Sequence, residues 1–217
     1  FFFFSDCNGK AGNLTIPLLS SSCHTSVIDH TLGQFDDAKV NWILDEINRV
    51  LRDDGKLILL LPKYKEIVEN WKTNNEKMLS TFWHQSFNNS LPSQIEKKGN
   101  IPYSSFICSF KLNDELTFID DKLIKEKLLN KLASIDSPKL FANSAKEFLM
   151  SACKPEYFVF QNAWSLEEMF GLLVDHGFSP SIINKETFRK EYYWLPPGIC
   201  IGENIDIIIA DKKNSHT

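Results

Sequence analysis

The chain has 217 residues, of which 43% are hydrophobic and 24% charged, with a formal net charge of -4 and a pI near 5.8. This composition is that of an ordinary globular domain, and it gives no basic footprint for a nucleic-acid partner. No segment approaches the ~18 apolar residues of a membrane span, so we predict no membrane partner.

The five cysteines are scattered, without a Cys-x-x-Cys pair and without a histidine cluster beside them: Cys7, Cys23, Cys108, Cys153 and Cys200. An odd, unpatterned set argues against a disulfide framework and against a zinc site. It favours a reducing compartment, and we therefore expect a cytoplasmic protein with no metal site.

Two short strands are predicted ahead of the first helix. Phe1–Phe4 are too few for the apolar part of a signal peptide, and no basic segment precedes them, so we interpret them as a strand. The absence of an initial Met leads us to expect a trimmed or truncated amino terminus. Ser26–Asp29 forms the second predicted strand.

The first helix is predicted over residues 37–52, because apolar side chains recur there at intervals of three and four residues. Asp36 or Asp37 can cap its amino end, and we expect Gly55 to take the left-handed conformation just past its carboxyl end. The apolar stripe consists of Val40, Ile43, Leu44, Ile47, Val50 and Leu51.

The run Lys56–Leu61 shows no alternation of apolar and polar residues. A continuous apolar run of this length fits a strand covered on both faces, as in a parallel sheet. With the preceding strand and helix it predicts a strand–helix–strand unit.

A second helix is predicted over Trp164–Phe178, where Gly177 ends the apolar periodicity. We expect a strand around Ser179–Phe188 and a final strand over Ile205–Ala210. Residues 64–163 are too many for a loop, so we predict a mainly helical insertion there.

Two stretches resemble class I S-adenosylmethionine-dependent methyltransferases. Residues 49–55, RVLRDDG, resemble the family's Arg-Val-Leu, basic residue and Pro-Gly-Gly turn, with Asp-Asp where Pro-Gly is usual. Residues 12–35, GNLTIPLLSSSCHTSVIDHTLGQF, resemble its series Gly-Asp, Leu-Pro-Phe, Ser-Phe-Asp and His-x-Leu-Glu-His. With the late helix, the resemblance covers residues 12–62 and 164–212.

The resemblance implies an α/β, Rossmann-like methyltransferase fold that is N-terminally truncated, with a mostly parallel sheet, an antiparallel final strand and a helical insertion. Residues 1–63 and 164–217 would form the core, and residues 64–163 would form a substrate cap. The family's glycine-rich cofactor loop is not visible in this sequence, which is the main departure from the family pattern.

The implied cofactor is S-adenosylmethionine, and the residues that correspond to its site are Asn13, Leu14, Asp29, His30 and Thr31. Asn13 stands where an Asp commonly meets the adenine. Asp29 to Thr31 follow a predicted strand at its carboxyl end, where open α/β sheets bind ligands. His30 is the candidate catalytic residue, as a general base or as a group that orients substrate; the alternative is a capping or core histidine.

Aromatic and imidazole side chains in the insertion and the late loop are the candidates for substrate binding: Tyr64, His84, Tyr192, Tyr193 and Trp194. Exposed aromatic loops are uncommon without a function, although such side chains more often form a core.

We therefore expect methyl transfer to a small-molecule substrate. The alternatives are a catalytically inactive methyltransferase-like domain that serves as a protein-interaction module and a nucleotide-binding oxidoreductase. A sheet that lacks its early strands would expose an unpaired edge, which predicts a homodimer through that edge.

Overall fold

The structure, a computed structural model, describes residues 2–3, 15–29, 31–73, 127, 130–153, 162–195 and 205–213. Within these ranges the strands are β1 (Phe2–Phe3), β2 (Cys23–Asp29), β3 (Leu51–Pro62), β4 (Phe178–Ile183) and β5 (Ile205–Lys212). The helices are α1 (Asp37–Val50), α2 (Tyr64–Lys72), α3 (Pro138–Cys153), α4 (Leu166–Asp175) and α5 (Lys185–Glu191).

The described strands form one sheet in the order β1-β2-β3-β5-β4. β1 pairs with β2 and β2 with β3 in parallel, while β5 pairs antiparallel with both β3 and β4. The predicted mixed α/β fold with an antiparallel final strand is thus confirmed. The edge strand β4 consequently runs in the same direction as β3, because two antiparallel pairings separate them.

The strand–helix–strand unit β2-α1-β3 agrees with the sequence prediction. Asp36 caps α1, its carboxylate accepting a hydrogen bond from the backbone N–H of Lys39 at 2.8 Å. From Leu57 to Pro62, β3 is buried without alternation, as expected of a strand covered on both faces.

The turn around Gly55 differs from the prediction. α1 ends at Val50, Leu51 is already extended (φ -69°, ψ 140°), and Gly55 does not have the positive φ of a left-handed cap. Instead the register shifts: Cys23 lies opposite Leu51, but Thr25 lies opposite Lys56, so β3 carries extra residues that bulge out of the ladder.

Strand β4 is shorter than predicted because a helix begins after it. The Asn184 side chain accepts a hydrogen bond from the Thr187 N–H at 2.8 Å, so it caps α5, which occupies residues 185–191. The predicted strand around Ser179–Phe188 is therefore wrong beyond Ile183.

Gly177 ends α4 as predicted, with φ +78°. The amide of Asn48 on α1 donates to the carbonyl of His176 at 2.8 Å, so the turn is tied to α1.

A Cβ at position 177 would lie 3.0 Å from the amide nitrogen of Asn48. We expect Gly177→Ala to lower the free energy of unfolding by about 1–2 kcal/mol, measured by urea denaturation. An unchanged midpoint would contradict the left-handed conformation.

One face of the sheet is covered by α5. Phe188 is buried in a cluster whose other members come from three strands and the following turn: Val27, Ile58, Leu60, Leu195, Ile205, Ile207 and Ile209. Tyr192 packs against the same cluster. α5 thereby runs back along the sheet and places the turn after it at the starting end of β2 and β3.

The chain divides into two compact units, residues 1–62 with 166–217, and residues 63–165. The first contains the sheet with α1, α4 and α5. The second contains α2 and α3, where Lys72 pairs with Asp136 at 2.7 Å. The role of substrate cap for the second unit stays a prediction.

Candidate functional site

The parallel strands β2 and β3 end at the same side of the sheet, which we call the carboxyl edge. Asp29, the last residue of β2, lies opposite Leu60, and β3 continues to Pro62. Ligands of open α/β sheets bind outside such strand ends. The residues at the end of β2 and directly after it are therefore candidates for binding a cofactor.

Thr31 has a buried hydroxyl oxygen that has no hydrogen-bond partner among the described residues. It occupies the amino-terminal position of the short 3-10 turn Leu32–Gln34, yet its side chain does not cap that turn. A buried hydroxyl without a partner costs about 1–3 kcal/mol, so natural proteins pair nearly all of them. This oxygen is consequently a candidate ligand-binding group.

The carboxyl edge fits the polar parts of S-adenosylmethionine as far as its residues are described. Half-buried Asp29 supplies a carboxylate at the end of β2, and Thr31 supplies an unsatisfied hydroxyl. Hydroxyl and amino groups of a ligand can donate to either oxygen type, and the Thr31 hydroxyl can also donate. Of the other predicted site residues, Asn13, Leu14, His30 and His84 lie outside the described residues.

Tyr64 is the first residue of α2 and belongs to the second unit. It is buried, and its hydroxyl has no partner within the described ranges. Burial raises the pKa of this phenol well above its ordinary value, so the group stays protonated and can donate a hydrogen bond. Its role in substrate binding stays a prediction.

The aromatic residues after α5 do not lie at the carboxyl edge. Trp194 lines a pocket with Ser22–Thr25, at the start of β2, whereas Thr31 follows its end. The strand between them is about 20 Å long at ~3.3 Å per residue. The structure therefore does not bring Tyr192, Tyr193 and Trp194 together with Asp29 and Thr31, and one site containing both sets is not formed.

A pair of charged residues that the sequence did not identify as functional holds the segment before β2. Glu46 and Arg49 on α1 form an ion pair at 2.8 Å. The Glu46 carboxylate accepts from the N–H of Ile16 at 2.8 Å, while Arg49 donates to the carbonyls of Ile16 and Leu18 at 3.1 and 3.0 Å. The helical spacing of Glu46 and Arg49 was the available signal. Arg49 of the RVL motif, together with Glu46, thus holds residues 16–20 against α1, and we call this pair the clamp.

The clamp predicts a pH dependence. Hydrogen bonding to Arg49 holds the pKa of Glu46 below its ordinary value of 4.5. A depressed folded pKa contributes stability that is fully present above about pH 4.5 and is lost as the pH falls through the lower folded value.

We expect Glu46→Gln to be less stable than the wild type at pH 7, with a difference that shrinks toward pH 3. Urea midpoints measured across this range test it. The control is Asp54→Asn, which removes the exposed partner of Arg52 and should change stability little at any pH. A difference that stays constant with pH would contradict the clamp.

Among the residues that are described, no group of His, Cys, Asp and Glu side chains could hold a metal ion. Each helix in the described part of the chain falls short of the length and hydropathy that a membrane crossing requires.

The fold and the carboxyl edge define a mixed α/β domain with a candidate ligand site at the ends of its parallel strands. No protein-family model and no curated protein matches the chain. A solved structure similar to it is a SAM-dependent methyltransferase, described as a possible histamine N-methyltransferase, from Thermotoga maritima. The two are 14% identical with a TM-score of 0.34; the match covers 92% of this chain and 60% of that one. The TM-score is too low to identify the fold, which rests instead on the strand order.

Proposed function

We propose that the chain is an S-adenosylmethionine-dependent methyltransferase acting on a small molecule. The observation that carries the proposal is the buried hydroxyl of Thr31 just beyond the carboxyl end of β2, which has no hydrogen-bond partner among the described residues. It is supported by the sequence resemblance of residues 12–35 and 49–55 and by the antiparallel final strand.

The cofactor supplies an electrophilic methyl group when it is bound. The protein's part is then to hold the methyl acceptor in line and to exclude water, which requires no nucleophile of its own. In this proposal Thr31 and Asp29 bind polar groups of the cofactor, with Asn13, Leu14 and His30 as further contacts. His30 would orient the acceptor or take its proton. Tyr64 and His84, in the second unit, stay predicted substrate-binding residues.

Calorimetric titration with S-adenosylmethionine and S-adenosylhomocysteine tests the proposal. We expect micromolar binding of both, followed by methyl transfer in a screen of small-molecule acceptors. A protein that is folded by circular dichroism and binds neither ligand at millimolar concentration would overturn the proposal.

The second candidate function is a catalytically inactive methyltransferase-like domain that binds another protein. Gly33 and Gln34 replace the Glu and His of the family pattern, which favours this alternative. So does Ile182, which is 53% exposed on the edge strand β4. A folded chain that does not bind the cofactor but captures a protein partner would support it.

The predicted homodimer is proposed at the β1 side of the sheet. Among the described residues, β1 pairs with β2 only at Ser26 and Val27, so most of this edge of β2 has no described strand beside it and could pair with another chain. Sedimentation equilibrium tests this, and a monomer at micromolar concentration would contradict it.

A further inference from the structure

A second concave site lies at the opposite end of β2 from Thr31. It has a volume of about 340 Å³ and is lined by Ser22, Cys23, His24, Thr25 and Trp194. All of these residues belong to the first unit. A cavity of this size is at the lower end of those that take small molecules.

The aromatic wall of this pocket is held in place by its neighbours. Tyr192 packs on the core and stacks on Phe188, with ring centroids 5.0 Å apart, and buried Leu195 belongs to the same cluster. The N–H of Leu195 donates to the carbonyl of Tyr192 at 3.0 Å, which closes the turn. Trp194 lies inside this turn and is 46% exposed.

A partly exposed tryptophan is suited to binding, because its side chain has only two rotatable bonds and little conformational entropy is lost when a ligand stacks on it. Tyr192 is not part of the lining, but its ring contacts that of Trp194 with centroids 6.2 Å apart. The pocket thus presents π surface on one side and the polar groups of a strand end on the other.

The charges at the pocket disfavour anions. Its described lining contains neither Lys nor Arg. Lys56, opposite Thr25 in the sheet, is paired with Asp211 at 2.6 Å. A carboxylate or phosphate would lose much hydration on entering this pocket and would meet neither Lys nor Arg in the described lining, whereas a neutral ring would lose little hydration.

We infer that this pocket is a binding site for a neutral, planar aromatic molecule that stacks on Trp194 and hydrogen-bonds to the polar side chains of Ser22–Thr25. It is separate from the proposed cofactor site and lies at the other end of the sheet. Its occupant is therefore not the adenine ring of the cofactor.

Saturation-transfer NMR with indole as the probe tests this inference. We expect a dissociation constant on the order of 1 mM, typical of a fragment of this size. Benzyl alcohol should bind and cyclohexylmethanol, its saturated counterpart, should not, because only the planar ring can stack. Absence of binding at about 10 mM indole would overturn the inference. So would equal binding of the two alcohols.

Two controls locate the site. Trp194→Ala should abolish indole binding, whereas Ile182→Ala, which removes another exposed apolar side chain, should not. Saturating S-adenosylhomocysteine should leave indole binding unchanged. Displacement by S-adenosylhomocysteine, or indole binding that survives Trp194→Ala, would overturn the inference. Indole binding and its loss in Trp194→Ala do not depend on whether the cofactor binds, so the proposed function can fail separately.

Discussion

Replacing Gly55 with alanine is expected to lower the free energy of unfolding by about 2–3 kcal/mol. A Cβ at this position would lie 2.8 Å from the carbonyl oxygen of Arg52 and 3.1 Å from its backbone nitrogen. Both are backbone atoms, which cannot rotate away as the end of a side chain can. The bulge must therefore shift, and insertion of a methyl group into packed structure costs about 1–3 kcal/mol.

The surroundings of the bulge make that shift difficult. Leu51, buried at the start of β3, has its Cβ 3.1 Å from the added methyl group. Its carbonyl accepts a hydrogen bond from Lys212 at 2.8 Å, which ties the bulge to β5. Movement at Gly55 would thus strain the contact between two strands.

The matched control is Gly171→Ala. Gly171 is exposed in α4, and beyond the backbone of its own helix and its two chain neighbours no described heavy atom lies within 4 Å of the added Cβ. Because alanine favours a helix over glycine, this variant should gain about 1 kcal/mol. Urea denaturation gives the free energy of unfolding of each variant, and the two values are compared when both variants have the same m-value. If Gly55→Ala were as stable as Gly171→Ala, the described bulge would be wrong.

The two glycines also show how far sequence patterns could predict the fold. The periodicity of α1 and the unbroken apolar run of β3 are signals of burial, and both elements were predicted. The predicted helix ends two residues too late, whereas β3 begins five residues before the predicted start at Lys56. The role of Gly55 was not predictable, because it depends on the register between β2 and β3. Register arises from pairing with a distant segment, which no local pattern records.

The candidate site residues also differ in how far their positions could be predicted from sequence. Thr31 and Asp29 were predicted from their place after a strand, which is a topological signal that sequence carries. The position of Trp194 depends on α5, whose cap at Asn184 was overlooked in favour of a strand. That helix reverses the chain and carries the aromatic turn to the starting end of β2, a position that the predicted strand did not indicate.

Thr31→Val is expected to separate binding from stability. Valine keeps the shape of threonine and removes the buried hydroxyl that has no partner among the described residues. Without bound ligand the variant should therefore be equally stable or more stable, by about 1 kcal/mol. Affinity for S-adenosylhomocysteine should fall about tenfold or more, because the complex loses a hydrogen bond worth ~1.5 kcal/mol.

Thr25→Val is the matched control, because Thr25 lies on the same strand at its other end. Its affinity for S-adenosylhomocysteine should equal that of the wild type. The informative result is the combination of the two measurements on Thr31→Val, calorimetric affinity and urea midpoint. A variant that is destabilised while it binds normally would mean that the Thr31 hydroxyl serves the fold. A variant that gains stability and loses affinity would mean that the hydroxyl is kept unpaired for the ligand, at the expense of stability.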